Sequence, residues 1–165
     1  MAIWKAQRTL LLVGEGYHEK AFLNHLKQLY VPRRCGLSVT VKSAGGKSAK
    51  HIIEWTVRQI ANTAYDNVAV MLDTDTDWSP ALAKQAKVKR IQVLPSEPCF
   101  DALMLRMLGK HPVGDPAAFK KLLAPYLNND PTEQQNYAEH FGKACLEAGR
   151  QSEPIIDELL KLLGA

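Results

Sequence analysis

Short, almost wholly apolar runs alternate with longer stretches in which apolar residues recur every three or four positions, and the alternation persists through residues 1–95. Residues 9–13 (TLLLV) and 67–72 (NVAVML) read as strands covered on both faces, and residues 37–41 and 90–94 as two shorter ones. Residues 18–30 put Phe22, Leu26 and Leu29 on one helical stripe. Residues 48–64 do the same with Ile53, Val57, Ile60, Ala61 and Ala64. Strands spaced by helices predict an α/β fold, a Rossmann-like wound and mostly parallel sheet with helices on both faces. Ligands are expected at the carboxyl ends of its strands.

From Ser96 the pattern turns purely helical. Ser96 reads as a cap with Pro98 in the following turn, and Phe100, Leu103, Met104, Met107 and Leu108 form a stripe that HPVGDP (111–116) interrupts. Helices are predicted over residues 116–126, 132–148 and 153–163, the last with Ser152 as cap and Pro154 in its first turn. The division is an α/β core over 1–95 and a helical extension over 96–165 packed on it. The length of 165 residues and 46% hydrophobic content fit one structural domain.

The polar residues that change this picture sit where the apolar runs end. VMLDTDTD (70–77) places aspartates at every second position, and LLLVGEG (10–16) ends in Glu15 in the same way. Alternate side chains of a strand share a face, so Asp73 and Asp75 are expected to point at one small volume, with Asp77 either close behind or capping the helix after Trp78. Carboxylates crowded in this way repel, and a proton or a divalent cation must relieve them. Glu19 and Asp101 fall in first helical turns, where the helix dipole alone favours an acid, so each is a candidate ligand or a simple terminal charge.

Charge sharpens the expectation. Residues 1–114 carry +7 and residues 115–165 carry −3, which together make the net +4. If the acids converge, the surface around them is more basic than that count implies, and a polyanionic partner fits it. Lys84, Lys87, Lys89 and Arg90 form the densest basic run, with Lys47, Lys50 and Arg58 on another helix. They are candidate nucleic-acid contacts or an ordinary solvated face. Ser43-Ala44-Gly45-Gly46-Lys47-Ser48 resembles a phosphate loop but fails on spacing, since Val41 stands where the first glycine is needed. What survives is one possible phosphate at that helix start, beside the reading of a plain turn.

Cys35, Cys99 and Cys145 show no metal or disulfide spacing and read as reduced, buried thiols. His18, His25 and His51 are isolated, and Trp4, Trp55 and Trp78 are too scattered for a stacking platform, which makes them packing residues. No signal-like leader and no apolar stretch near the ~18 residues of a membrane span are present, so the expected setting is the cytoplasm without a membrane partner.

Glu15-Gly16 with Glu19 after the first strand, and Asp73-Thr74-Asp75 after a later one, resemble the two signatures of the Toprim fold of topoisomerases, primases and OLD-family nucleases. More narrowly the chain resembles the small standalone RloB-like family. Its Pro-Cys-Phe-Glu segment is matched by Pro98-Cys99-Phe100-Asp101, and its proline-led hydrophobic tail helix by the helix after Pro154. The chain departs from that pattern at Asp101, Glu97, Leu103 and His18, where Glu, Asn, Trp and a small hydroxyl residue are expected. It has no room for a topoisomerase's tyrosine module, a primase's zinc site or an OLD ATPase domain. The resemblance implies a nuclease-like role in phage defence or mobile-element biology.

Mg²⁺ or Mn²⁺ suits such a site, because hard cations take carboxylates, water and substrate phosphate as ligands. Glu15, Asp73 and Asp75 are the expected catalytic centre, with Glu19 or Asp101 helping to hold a second ion; Glu15 is either a ligand or a general acid/base. Lys47, Lys50, Lys84, Lys87 and Arg90 are the expected nucleic-acid contacts. The alternatives are a noncatalytic regulatory module that uses a degenerate pocket to hold nucleic acid or protein, and a phosphohydrolase or nucleotide-binding enzyme on the same sheet. Either a homo-oligomer or a partner protein is compatible with the sequence.

Overall fold

The computed structural model describes residues 6–75 and 77–165. Its centre is a four-stranded, wholly parallel sheet in the order β2-β1-β3-β4, built from β1 (Arg8–Gly14), β2 (Leu37–Ser43), β3 (Asn67–Asp73) and β4 (Gln92–Ser96). The crossovers are α1 (Tyr17–Tyr30), α2 (Ala49–Asn62) and α3 (Pro80–Val88). The strand order reverses between β1 and β3, and there the carboxyl ends of the two central strands flank a crevice.

The pleat of β1 divides the molecule into two cores. Leu10 and Leu12 face one side with Ala69 and Met71 of β3; Leu11 and Val13 face the other with Val68, Val70 and Leu72. Right-handed crossovers place α2 and α3 on this second face and α1 on the first, because β1 to β2 runs the opposite way across the sheet from the later steps. The part of the first face that α1 leaves open is covered by α4 (Phe100–Met107), α5 (Pro116–Leu123), α6 (Lys143–Gly149) and α7 (Pro154–Leu162). Residues 96–165 therefore complete a layer of the fold, with α7 against β4 and α5 against α4.

Several elements differ from the sequence expectation. The helix expected over 132–148 is a 3-10 turn at Gln134–Tyr137 followed by α6, with Gly142 as its N-cap, so that Tyr137 and Phe141 are both fully buried. The helix expected to reach residue 126 loses its α geometry before Pro125, which has no N–H for the ladder, and finishes as a 3-10 turn, Ala124–Leu127. The buried face of α2 is Ala49, Ile52, Ile53 and Thr56, while Ala61 is exposed and Ala64 lies beyond the helix. Ser96 ends β4 and Cys99 is the N-cap of α4; likewise Glu153, not Ser152, precedes Pro154 in α7. Cys99 is buried and Cys145 partly so, but Cys35 is exposed. Trp55 and Trp78 pack on the second core as expected, and Trp4 lies outside the described residues. No helix among the described residues is long and apolar enough to cross a membrane.

Candidate acidic metal centre

Gly14 is the hinge on which the site depends. A Cβ there would stand 2.8 Å from the Cβ of Glu19 and 2.9 Å from the backbone nitrogen of Lys20. Only a glycine lets the first turn of α1 come so close to the end of β1. Glu19 then folds back and accepts a hydrogen bond from the Gly16 N–H at 3.0 Å, the return half of a capping box. From β1 the ladder continues one residue further, the Glu15 N–H donating to the Met71 carbonyl at 3.0 Å. The result is a cluster in which ligand oxygens of Glu15, Glu19 and Asp73 all lie within 4.8 Å of one another.

Each acid is also held individually. The Asp73 carboxylate accepts from the Phe100 N–H at the start of α4 at 2.8 Å, and the Glu15 carboxylate accepts from the Asp73 N–H at 3.3 Å. Burial is the first cause that raises the pKa of all three, and their mutual repulsion is the second. Glu15 is pushed up to about 7, Glu19 to about 7 and Asp73 to about 8. Glu15 and Asp73 titrate as a pair, and burial with their mutual repulsion favours a proton held within that pair near neutrality.

The cluster borders an open cavity of about 600 Å³ lined by Glu15, Asp73, Asp75, Asp77, Asp101 and Lys120, with Lys47, Cys99 and the Gly46 turn completing the wall. Asp75 lies beyond the last residue of β3 and is exposed. Its position follows from the Thr74 and Asp75 N–H groups, which donate to the Pro98 carbonyl at 3.1 and 3.0 Å, rather than from the strand pleat. Neither Asp75 nor Asp101 belongs to the three-carboxylate cluster. Burial raises the Asp101 carboxyl too, while nearby His18 and Lys120 pull it down. The Cys99 thiol is pushed up by burial and stays protonated, so the donors near neutral pH are hard oxygens.

Of the expected basic contacts, Lys47 lines the cavity and Lys50, Lys84, Lys87 and Arg90 do not. The helix α3 starts at the carboxyl end of the sheet and runs back, which carries Lys87 and Arg90 to the far end, before β4. Asp77 caps α2, accepting from the Ala49 N–H at 2.8 Å and the Lys50 N–H at 3.3 Å, whereas Ser79 caps the helix after Trp78. The helix start considered for a phosphate thus already holds a carboxylate. The Gly45-Gly46 turn is bound rather than loose: both glycines have positive φ, and the Gly46 N–H donates to the Glu15 carbonyl at 2.6 Å. Lys120 is the cavity cation that sequence reasoning missed. It lies on α5, in the net-acidic third of the chain, and no local motif marks it.

Comparison with protein-family models, with curated proteins and with solved structures returns no match. The site's chemistry accordingly rests on its own residues.

Proposed function

We propose that the chain is a divalent-metal-dependent phosphodiesterase of the Toprim type acting on nucleic acid. One observation carries the reading. Glu15, Glu19 and Asp73 converge within 4.8 Å at the switch point of a parallel sheet, where ligands of such sheets bind. Crowded carboxylates kept partly protonated near neutrality are costly to retain for packing alone, and oxygen-only donors suit Mg²⁺ or Mn²⁺. A cation bound there would supply Lewis acidity and a water of lowered pKa.

The chain's own residues divide the remaining work. Glu15, Glu19 and Asp73 would hold the cation, and the cluster would give up protons as it did so. Asp75, exposed on the cavity wall, would orient an attacking water or help hold a second ion. Lys47 and Lys120 offset the acids and draw in a phosphodiester.

Calorimetry tests this directly. Mg²⁺ or Mn²⁺ should bind the wild type near pH 7 with release of protons, visible as a dependence of the heat on the buffer's ionisation enthalpy. In Glu15→Gln/Asp73→Asn the affinity should fall by at least about 100-fold, and cleavage of single- or double-stranded DNA or RNA should be lost with it. Metal-independent cleavage by that double variant, or no metal binding by the wild type in the presence of substrate, would sink the proposal.

A further inference from the structure

A second, smaller cavity of about 160 Å³ adjoins the acidic one. Its walls are Leu123, Ala124, Leu127 and Pro131, with His18 beside them, and it shares Asp101 and Lys120 with the larger cavity. Asp101 is 6% exposed, and among the described residues it makes neither a hydrogen bond nor an ion pair. Its oxygens are not sealed off, since among the described residues the fully buried side-chain polar atom without a partner is Ser96 Oγ; they open onto the two cavities beside His18 and Lys120, where a ligand's donor can reach them. Asp101 stands outside the three-carboxylate cluster.

We infer that this side cavity is a base subsite, taking the nucleobase of the nucleotide whose phosphate lies in the acidic cavity, with Asp101 accepting from the amino group on the base's edge. The placing of the phosphate rests on the phosphodiesterase reading; the placing of the base rests on the cavity. Whole drug-sized ligands occupy about 300–1,000 Å³, so this volume suits one ring system and not an entire nucleotide. Leu123, Leu127, Ala124 and Pro131 offer apolar surfaces to the flat faces of a base, and the single acid offers an acceptor to its edge. Lys120, common to both cavities, stands where the phosphate-bearing side of the nucleotide would lie.

The chemistry also selects among bases. Cytosine, adenine and guanine carry an exocyclic amino group that a carboxylate accepts from. Uracil and thymine present an N–H flanked by two carbonyl oxygens, which the carboxylate repels. His18, whose imidazole burial pushes below its ordinary value while Asp101 pulls it back up, stands beside the acid in the same wall.

Equilibrium binding of CMP, AMP, GMP, UMP and ribose 5-phosphate to the whole chain, with and without Mg²⁺, tests the inference. The three amino-bearing nucleotides should bind at least about tenfold more tightly than UMP and ribose 5-phosphate, the lower part of the range for one good base contact. Asp101→Leu, which keeps a similar volume and removes the acceptor, should remove that discrimination. Ala124→Phe, which fills the cavity from a half-buried position, should bring all four nucleotides to the level of ribose 5-phosphate, and Ala124→Leu should do so in part should the larger residue unfold the chain. Equal affinity for all five compounds, failure of any to bind at millimolar concentration, or nucleotide affinities untouched by filling the cavity would overturn it. Cleavage of bis(p-nitrophenyl) phosphate, which has no base, separates the two proposals. Base discrimination without diester cleavage removes the catalytic reading alone, and diester cleavage without discrimination removes the subsite alone.

Discussion

The two ends of the sheet carry opposite charge. Glu15, Glu19, Asp73, Asp75 and Asp101 gather at the carboxyl end, whereas Arg33, Arg34, Lys87 and Arg90 gather where β2 and β4 begin. Every crossover helix starts at the first end and finishes at the second, so dipoles alone favour acids at one and bases at the other. At the amino end this account suffices: the basic residues are exposed, and the acids there, Asp66 and Glu158, are engaged by the Thr9 N–H at 2.8 Å and the Gln92 side-chain amide at 3.5 Å. At the carboxyl end it does not. Dipoles favour acids spread over helix starts; they do not press three carboxylates within 4.8 Å in a half-buried crevice. The carboxyl end therefore carries a surplus of charge beyond what the helices call for, and the proposed site rests on that surplus.

The sharpest way to break this contrast is Gly14→Ala, because the added methyl meets α1 backbone at 2.9 Å. We expect a loss of about 1–3 kcal/mol in urea denaturation together with weakened metal binding. Full stability with intact affinity would mean that α1 is free to retreat.

A second test uses pH. Folding raises the carboxyls of Glu15 and Glu19 from 4.5 to about 7 and that of Asp73 from 3.8 to about 8. Between those limits the folded chain binds more protons than the unfolded one, so stability is highest below the unfolded values and falls as pH rises through the window. Melting of the metal-free protein should drop by at least about 3 °C from pH 5 to pH 8, the worth of roughly 1 kcal/mol for a chain of this length. Mg²⁺ should restore the loss at the alkaline end and do little at the acidic end. Melting that rises steadily across that range would contradict the cluster's burial.

The smallest effect is expected at the other end. Arg90 holds φ 58°, a left-handed conformation after α3 that glycine adopts without cost. Arg90→Gly should stabilise by about 0.5–1 kcal/mol and leave phosphodiester cleavage unchanged. A marked fall in cleavage would restore this basic run as a substrate contact.

How far the site could be read in advance depended on where regular structure stops. The apolar runs of β1 and β3 and the acids that end them were legible, because period and burial act locally in a parallel sheet. Asp73 is the last residue of β3, so the pleat governs it; Asp75 is two residues past it, where the Pro98 carbonyl decides its place. Asp77 turned to α2 for the same reason: helix-start N–H groups across the crevice outcompeted the nearer helix, which had Ser79. Lys120 and the side cavity arise from α5 packing on α4, a contact between segments with no shared period. The basic run on α3 was visible as charge but not as position, since a nine-residue helix moves its C-terminal lysines to the opposite end of the sheet.

The carboxylate of Asp77 on α2 also bears on which anions this crevice admits. A free phosphate approaching that helix start competes with an acid tethered to the same chain, and such tethers act at effective concentrations on the order of millimolar. The Ala49 and Lys50 amides are satisfied within the chain, so an anion entering the crevice meets the side-chain charges of Lys47 and Lys120 first. The internal acid thus turns the recess from a backbone anion cradle into one in which lysines alone meet an incoming anion.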